Sequence, residues 1–155
     1  INRIKEIEHE CKISNLNFQK YNLMKKISVK KNTKVLLIDS FGQLQRLYGY
    51  CKNVFIGKSL LKKFYKSGGQ NPMEAIYSGC KVYHGPYVSN FEELYEYLNK
   101  NMFAIKVKDS DDLFEKLLKN LDKSKLMSNQ KLKKVEKNGK KILMSSLREL
   151  YRYIK

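Results

Sequence analysis

From about residue 33 to residue 121 the chain alternates short aliphatic runs with segments whose apolar residues recur at helical spacing. Residues 33 to 38 (TKVLLI) form a continuous β-type run ending at Asp39, and residues 43 to 51 place Leu44, Leu47, Tyr48 and Cys51 on one helical face. Val54-Phe55-Ile56 reads as a short strand, followed by a glycine-containing loop over 57–69, a helix over 72–78 and a strand over 81–83. The alternation repeats with a helix over 91–100, a strand over 103–107 and a helix over 111–121. Strands this short and apolar, separated by helices of about ten residues, are what a parallel sheet covered on both faces requires, so the pattern predicts an α/β fold. Asp109-Ser110-Asp111 supplies an N-cap cluster for the helix over 111–121, whose Leu113, Phe114, Leu117, Leu118 and Leu121 form one apolar stripe. Residues 1 to 13 read as a helix already in progress, which predicts a fragment of a longer protein.

Beyond this core the pattern changes. Residues 116–155 hold 13 basic and 3 acidic residues and no strand signal, with two helical segments meeting near Asn138-Gly139. In the last of them Leu143, Leu147, Leu150, Tyr151 and Ile154 make a docking face. The whole chain of 155 residues carries a formal charge of +17, which favours polyanionic partners: nucleic acid, phosphorylated substrates or an anionic membrane face. Only four of its 32 basic residues are arginine, and base-edge reading leans on arginine, so sequence-specific nucleic-acid recognition is disfavoured; a lysine-dressed solvated surface is the plain alternative. The longest aliphatic run, residues 35–38, falls far short of the ~20 residues a membrane-spanning helix needs. Cys11, Cys51 and Cys80 show no C-x-x-C spacing, and with His9 and His84 the only histidines a structural metal site is not expected.

In open parallel sheets, ligands bind beyond the carboxyl ends of the strands. Three loops there are unusual: residues 39–43, residues 57–72 and residues 85–90. Asn71 suits an N-cap, Pro72 the first helical position, and Glu74 stands three residues after the cap, which is a capping-box pattern and a sufficient structural account of the glutamate. Gly68-Gly69 before the cap has no such account. Glycines let backbone approach a ligand closely, and a helix start offers unpaired N–H groups and partial positive charge, so the expected ligand is a phosphate. No P-loop or dinucleotide-binding glycine pattern follows any strand.

Taken as an ordered set, Asp39-x-x-Gly42, Leu44 and Tyr48, Phe55-x-Gly57-x-Ser59-Leu60, Gly68-Gly69-x-Asn71-Pro72-x-Glu74, Gly79, Gly85-Pro86 and Asn90-Phe91 resemble the nucleotide-binding half of the Kdo (3-deoxy-D-manno-octulosonic acid) transferases, GT-B glycosyltransferases of lipopolysaccharide synthesis. The resemblance covers residues 35–98. It implies a Rossmann-like sheet with helices on both faces over residues 1–122, a partial CMP-sugar-binding domain, and basic helices over 123–155 that pack on it or on an N-terminal domain outside this chain. It further implies that Kdo passes from CMP-Kdo to the lipid A precursor with inversion, without a metal or other cofactor, at the cytoplasmic face of the inner membrane. The implied CMP contacts are Phe41, Gly42, Gln43, Asn71, Pro72, Met73 and Glu74, with Ser59, Gly68, Gly69 and Gln70 as a phosphate loop. The catalytic base, the membrane anchor and a Pro-Arg pair that touches CMP would all precede Ile1, leaving a fragment that is inactive alone.

Several positions depart from the family pattern: Asp39-Ser40-Phe41-Gly42-Gln43 for D-T-M-G-E, Gly57-Lys58-Ser59 for G-G-S, Gly68-Gly69-Gln70-Asn71 for G-G-H-N, Ala75 for proline and Tyr87 for histidine. A carboxylate is lost at Gln43 and an imidazole at Gln70. Two further readings therefore stand beside the transferase: a basic α/β nucleic-acid-binding module, and a catalytically inactive truncated homologue.

Overall fold

In the computed structural model, which describes residues 3–21, 28–39, 42, 44–121, 133, 136 and 137, the strand Lys81–His84 (β4) is the most deeply buried segment. Val82, Tyr83 and His84 are each 1% exposed or less, so both faces of this strand are covered. It lies between β3 (Asn53–Ile56) and β5 (Ala104–Lys106), and both pairings are parallel, with Ile56 opposite His84 and Val82 opposite Ala104. Helix α3 (Met73–Tyr77) packs on β4, and α4 (Glu92–Lys100) on β5. Ile56, Ala75, Ile76, Cys80, Val82, Leu98, Phe103 and Ala104 form the core, with Tyr48 and Met73 packed at its margin. The chain order strand, helix, strand is thus converted into a parallel sheet, as the alternating pattern predicts.

The backbone divides into two compact units, Ile1–Leu44 and Gln45–Lys155. In the first, α1 (Ile4–Ile13) precedes β1 (Phe18–Tyr21), which pairs in parallel with β2 (Val35–Ile38). The side-chain amide of Gln19 on β1 donates to the Ser28 carbonyl at 2.9 Å and accepts from the Lys30 amide and the Thr33 hydroxyl, tying down the approach to β2. β1 carries no sequence expectation, because FQKY lacks the aliphatic run that marks the other strands.

Helix α2 (Leu44–Tyr48) is shorter than the predicted 43–51, and α5 (Ser110–Leu121) starts one residue early. Its start is a reciprocal cap: Asp109 Oδ1 accepts the Asp112 amide at 2.9 Å, and Asp112 Oδ2 accepts the Lys108 amide at 2.8 Å. The predicted stripe on α5 is only partly covered. Leu113 and Leu117 are half-buried while Phe114 and Leu118, one turn apart and rotated off that face, are exposed. The proposed division at 122/123 and the docking face of the last helix lie outside the described residues. No helix among the described residues is long and apolar enough to cross a membrane.

Leu98 is fully buried on the face of α4 that meets the core. Leu98→Ala is expected to lower unfolding free energy by about 2–5 kcal/mol in urea melts with unchanged slope.

Candidate functional site

The carboxyl ends of β3 and β4 carry the loops over 57–72 and 85–91, and these two are interlocked. The Ser59 side chain is fully buried; its hydroxyl donates to the Ile56 carbonyl at 2.6 Å and accepts the Gly85 amide at 2.9 Å. The Tyr87 amide donates to the Ser59 carbonyl at 2.9 Å, and the Asn90 backbone and side-chain amides donate to the Gly68 and Ser67 carbonyls. A Cβ on Gly68 would meet the Tyr87 carbonyl oxygen and lie 2.6 and 2.8 Å from those of Phe64 and Lys58; one on Gly85 would meet the Ser59 carbonyl. Both glycines are there so that protein backbone can approach protein backbone.

Ser59, Gly68 and Gly69, expected in a phosphate loop, are all buried; the Ser59 hydroxyl is used twice inside the protein, and the Gly69 amide donates to the Lys58 carbonyl at 2.9 Å. They build the floor of the loops. Pro72 is also fully buried, so its ring offers no surface to a nucleotide. Gln70 remains at the rim with an exposed side chain, its carbonyl accepting the Tyr95 hydroxyl at 2.7 Å.

At the start of α3 the N-cap position falls on Pro72, one residue later than expected, and Asn71 Oδ1 accepts the Met73 amide at 3.0 Å just before it. The other half of the expected capping box is not made. Glu74 is exposed, and its carboxylate has no hydrogen bond or ion pair among the described residues. Helical bonding begins with the Ile76 amide on the Pro72 carbonyl. The carboxylate is exposed beside the half-buried Met73 and near Tyr48, whose phenol is held above its ordinary value of 10.0 by burial and then by the Glu74 charge. Beside the same loops, a cleft of about 440 Å³ is lined by Ser89, Asn90, Phe91, Glu92, Glu93 and Leu94.

Of the third loop, Gly42 is exposed at φ +76 in the first unit, while Phe41 and Gln43 lie outside the described residues. A larger cleft of about 670 Å³ in that unit, bordered by Cys11, Asn17, Gln19 and Thr33, contains none of the expected residues. Among the described residues no group of His, Cys, Asp or Glu is placed to hold a metal ion, and the three cysteines are free.

Sequence reasoning missed the polar cluster beneath the loops. His84 ends β4 with its Nδ1 2.7 Å from the Gly85 carbonyl and its Nε2 3.0 Å from Asn99 Oδ1, and its ring lies 4.3 Å from that of Tyr95. Tyr95 and Asn99 sit one turn apart on α4, so one helix face orients the imidazole while the Tyr95 hydroxyl holds Gln70. A polar pair on an otherwise apolar stripe is the signal that was available. Burial lowers the His84 pKa from its ordinary value of 6.5, opposed by its bonds to Asn99 and Gly85.

No family model matches the chain. It is 30% identical over 124 residues to a 3-deoxy-D-manno-octulosonic acid transferase of Haemophilus influenzae, covering 80% of this chain and 27% of that protein. It is 31% identical over 121 residues to one from Aquifex aeolicus, covering 78% of this chain and 31% of that protein. The chain thus spans about a third or less of these relatives' length. In structure it resembles the C-terminal CMP-Kdo binding domain of WaaA from Acinetobacter baumannii, with a TM-score of 0.69 at 24% identity over 78% of this chain and 60% of that one.

Two outcomes follow from this geometry. Ser59→Ala leaves the Gly85 amide unpaired in the interior and is expected to cost about 1–3 kcal/mol in denaturant unfolding, whereas Glu74→Gln should leave stability within about 0.5 kcal/mol. The depressed pKa of His84 also fixes a sign. Above pH 6.5 neither state protonates it; as pH falls below 6.5 the unfolded chain takes up a proton that the folded chain refuses, so His84 should lower stability progressively down to its folded-state pKa. Melting temperatures of wild type and His84→Gln across pH 5 to 7.5 should therefore converge toward acid by about the amount this group contributes.

Proposed function

The chain belongs to the 3-deoxy-D-manno-octulosonic acid transferase family, and on that premise we propose that it supplies the donor-binding part of a glycosyltransferase that moves Kdo from CMP-Kdo to the lipid A precursor of lipopolysaccharide. The observation that carries this reading is Glu74: a carboxylate held at a fixed helix start, exposed, and without a partner among the described residues. A carboxylate so placed can accept both hydroxyls of a ribose diol. The Asn71 side chain takes the Met73 amide and leaves that of the exposed Glu74 without a backbone acceptor among the described residues, so a donor is available for the phosphate of the leaving CMP. Met73, half-buried next to it, offers an apolar edge for the base. Asn71, Met73, Glu74 and Gln70 are the contacts proposed from the second unit.

The family resemblance further supports an inverting transfer that needs no metal or cofactor. Its base would come from an acceptor-binding domain outside this chain, and its place would be the cytoplasmic face of the inner membrane. The substitutions at Gln43 and Gln70 favour, as a second reading, a homologue that binds donor without turning it over. The reading as a nucleic-acid-binding module gains no support from the relatives, whose names are those of transferases.

CMP at 100-fold its dissociation constant should stabilise the protein by about 2.7 kcal/mol, read as a rise in melting temperature. Glu74→Ala should weaken CMP binding about 10- to 100-fold with little change in the melting temperature of the free protein. A melting curve that CMP leaves unmoved counts against donor binding.

A further inference from the structure

Between Asp39 and Glu74 the chain has no acidic residue, while Arg46, Lys52, Lys58, Lys62, Lys63 and Lys66 are basic. The last four lie on one closed loop. The Gly69 amide donates to the Lys58 carbonyl at 2.9 Å, joining the ends of an Ω-type loop whose base is fixed to Asn90 through Ser67 and Gly68. Its outer part is the turn Lys62–Phe64 and its neighbours. Leu61 and Tyr65 are 55% and 57% exposed, and the side chains of Lys62, Lys63 and Lys66 are exposed among them. The Lys63 ammonium lies 5.2 Å from the centre of the Phe64 ring and that of Lys66 5.7 Å from the Tyr65 ring.

We propose that this loop docks on an anionic lipid surface. An apolar side chain and an aromatic ring flanked by lysines is the arrangement that enters a headgroup layer: Leu61 and Tyr65 bury against acyl chains and glycerol while the lysine stems keep their ammoniums at the phosphates. Nucleic acid fits less well. The loop has no arginine to grip a base edge or phosphate with two bonds, and a duplex offers nothing to bury Leu61. The loop runs directly into Asn71 and α3, so docking would hold the proposed donor cradle at the surface where a lipid-borne acceptor lies; that purpose rests on the donor reading, whereas the docking itself does not.

The test is flotation of the chain with vesicles of phosphatidylcholine alone or mixed with phosphatidylglycerol, with no CMP present. Wild type should bind only the mixed vesicles. Lys62→Gln, Lys63→Gln and Lys66→Gln combined should weaken binding about a hundredfold, at about fivefold per lysine. Leu61→Ser with Tyr65→Ser should bind at low salt and lose the fraction that resists high salt. All five side chains are exposed, so melting temperatures should match wild type; if the triple variant fails to fold, Lys63→Glu alone, expected to lose at least tenfold, decides. Equal vesicle binding by wild type and the charge variant, indifference to phosphatidylglycerol, or loss of duplex binding with vesicle binding intact would each overturn the proposal. A chain that binds vesicles through this loop yet ignores CMP upholds it and removes the donor reading instead.

Discussion

The hydroxyl of Ser59 is the interaction on which the second unit's loops depend. By donating to the end of β3 and accepting from the first residue after β4, it fixes the spacing between two chain segments that leave adjacent strands in the same direction. A buried hydroxyl that satisfies both its capacities adds no unpaired polar group to the interior, so this close junction costs little desolvation. Gly68 and Gly85 complete it by removing the side chains that would keep the backbones apart.

The consequence is a division of labour along a single sequence motif. The inner residues Ser59, Gly68, Gly69 and Pro72 are buried and build the platform, while Gln70, Asn71 and Glu74 stand on its rim. His84, Tyr95 and Asn99 brace the platform from below, with Tyr95 reaching the backbone of Gln70. Preorganisation of this kind is what binding a polar ligand requires, because little loop entropy remains to be lost. It also gives the buried residues of the ordered set a structural role beside the exposed ones.

One departure from the transferase pattern acquires a physical meaning. Where the resemblance expects glycine, this chain has Lys58, and its φ of +54 is a conformation that glycine adopts without strain and lysine at about 1 kcal/mol. The local fold has been kept while the side chain changed. The carbonyl of Lys58 still closes the loop on Gly69, and its side chain joins the other exposed lysines of the 58–69 segment.

What the sequence determined by itself were features set by near neighbours in the chain. The aliphatic runs marked β2 to β5, Asp109 marked the start of α5, and Asn71-Pro72 marked the start of α3 to within a residue, because hydrophobic period and side-chain-to-backbone bonding act over a few residues. Strand β1 was illegible, since a half-polar four-residue segment becomes a strand only when β2 lies alongside it. The roles of Ser59 and Gly68 were decided by the tertiary structure alone: their partners Gly85 and Tyr87 are about twenty residues away or more, and no local pattern distinguishes a glycine that admits a ligand from one that admits another stretch of backbone. The same holds for Glu74, whose spacing fits a capping box equally well whether its carboxylate turns back to the helix or, as here, is exposed with no partner among the described residues.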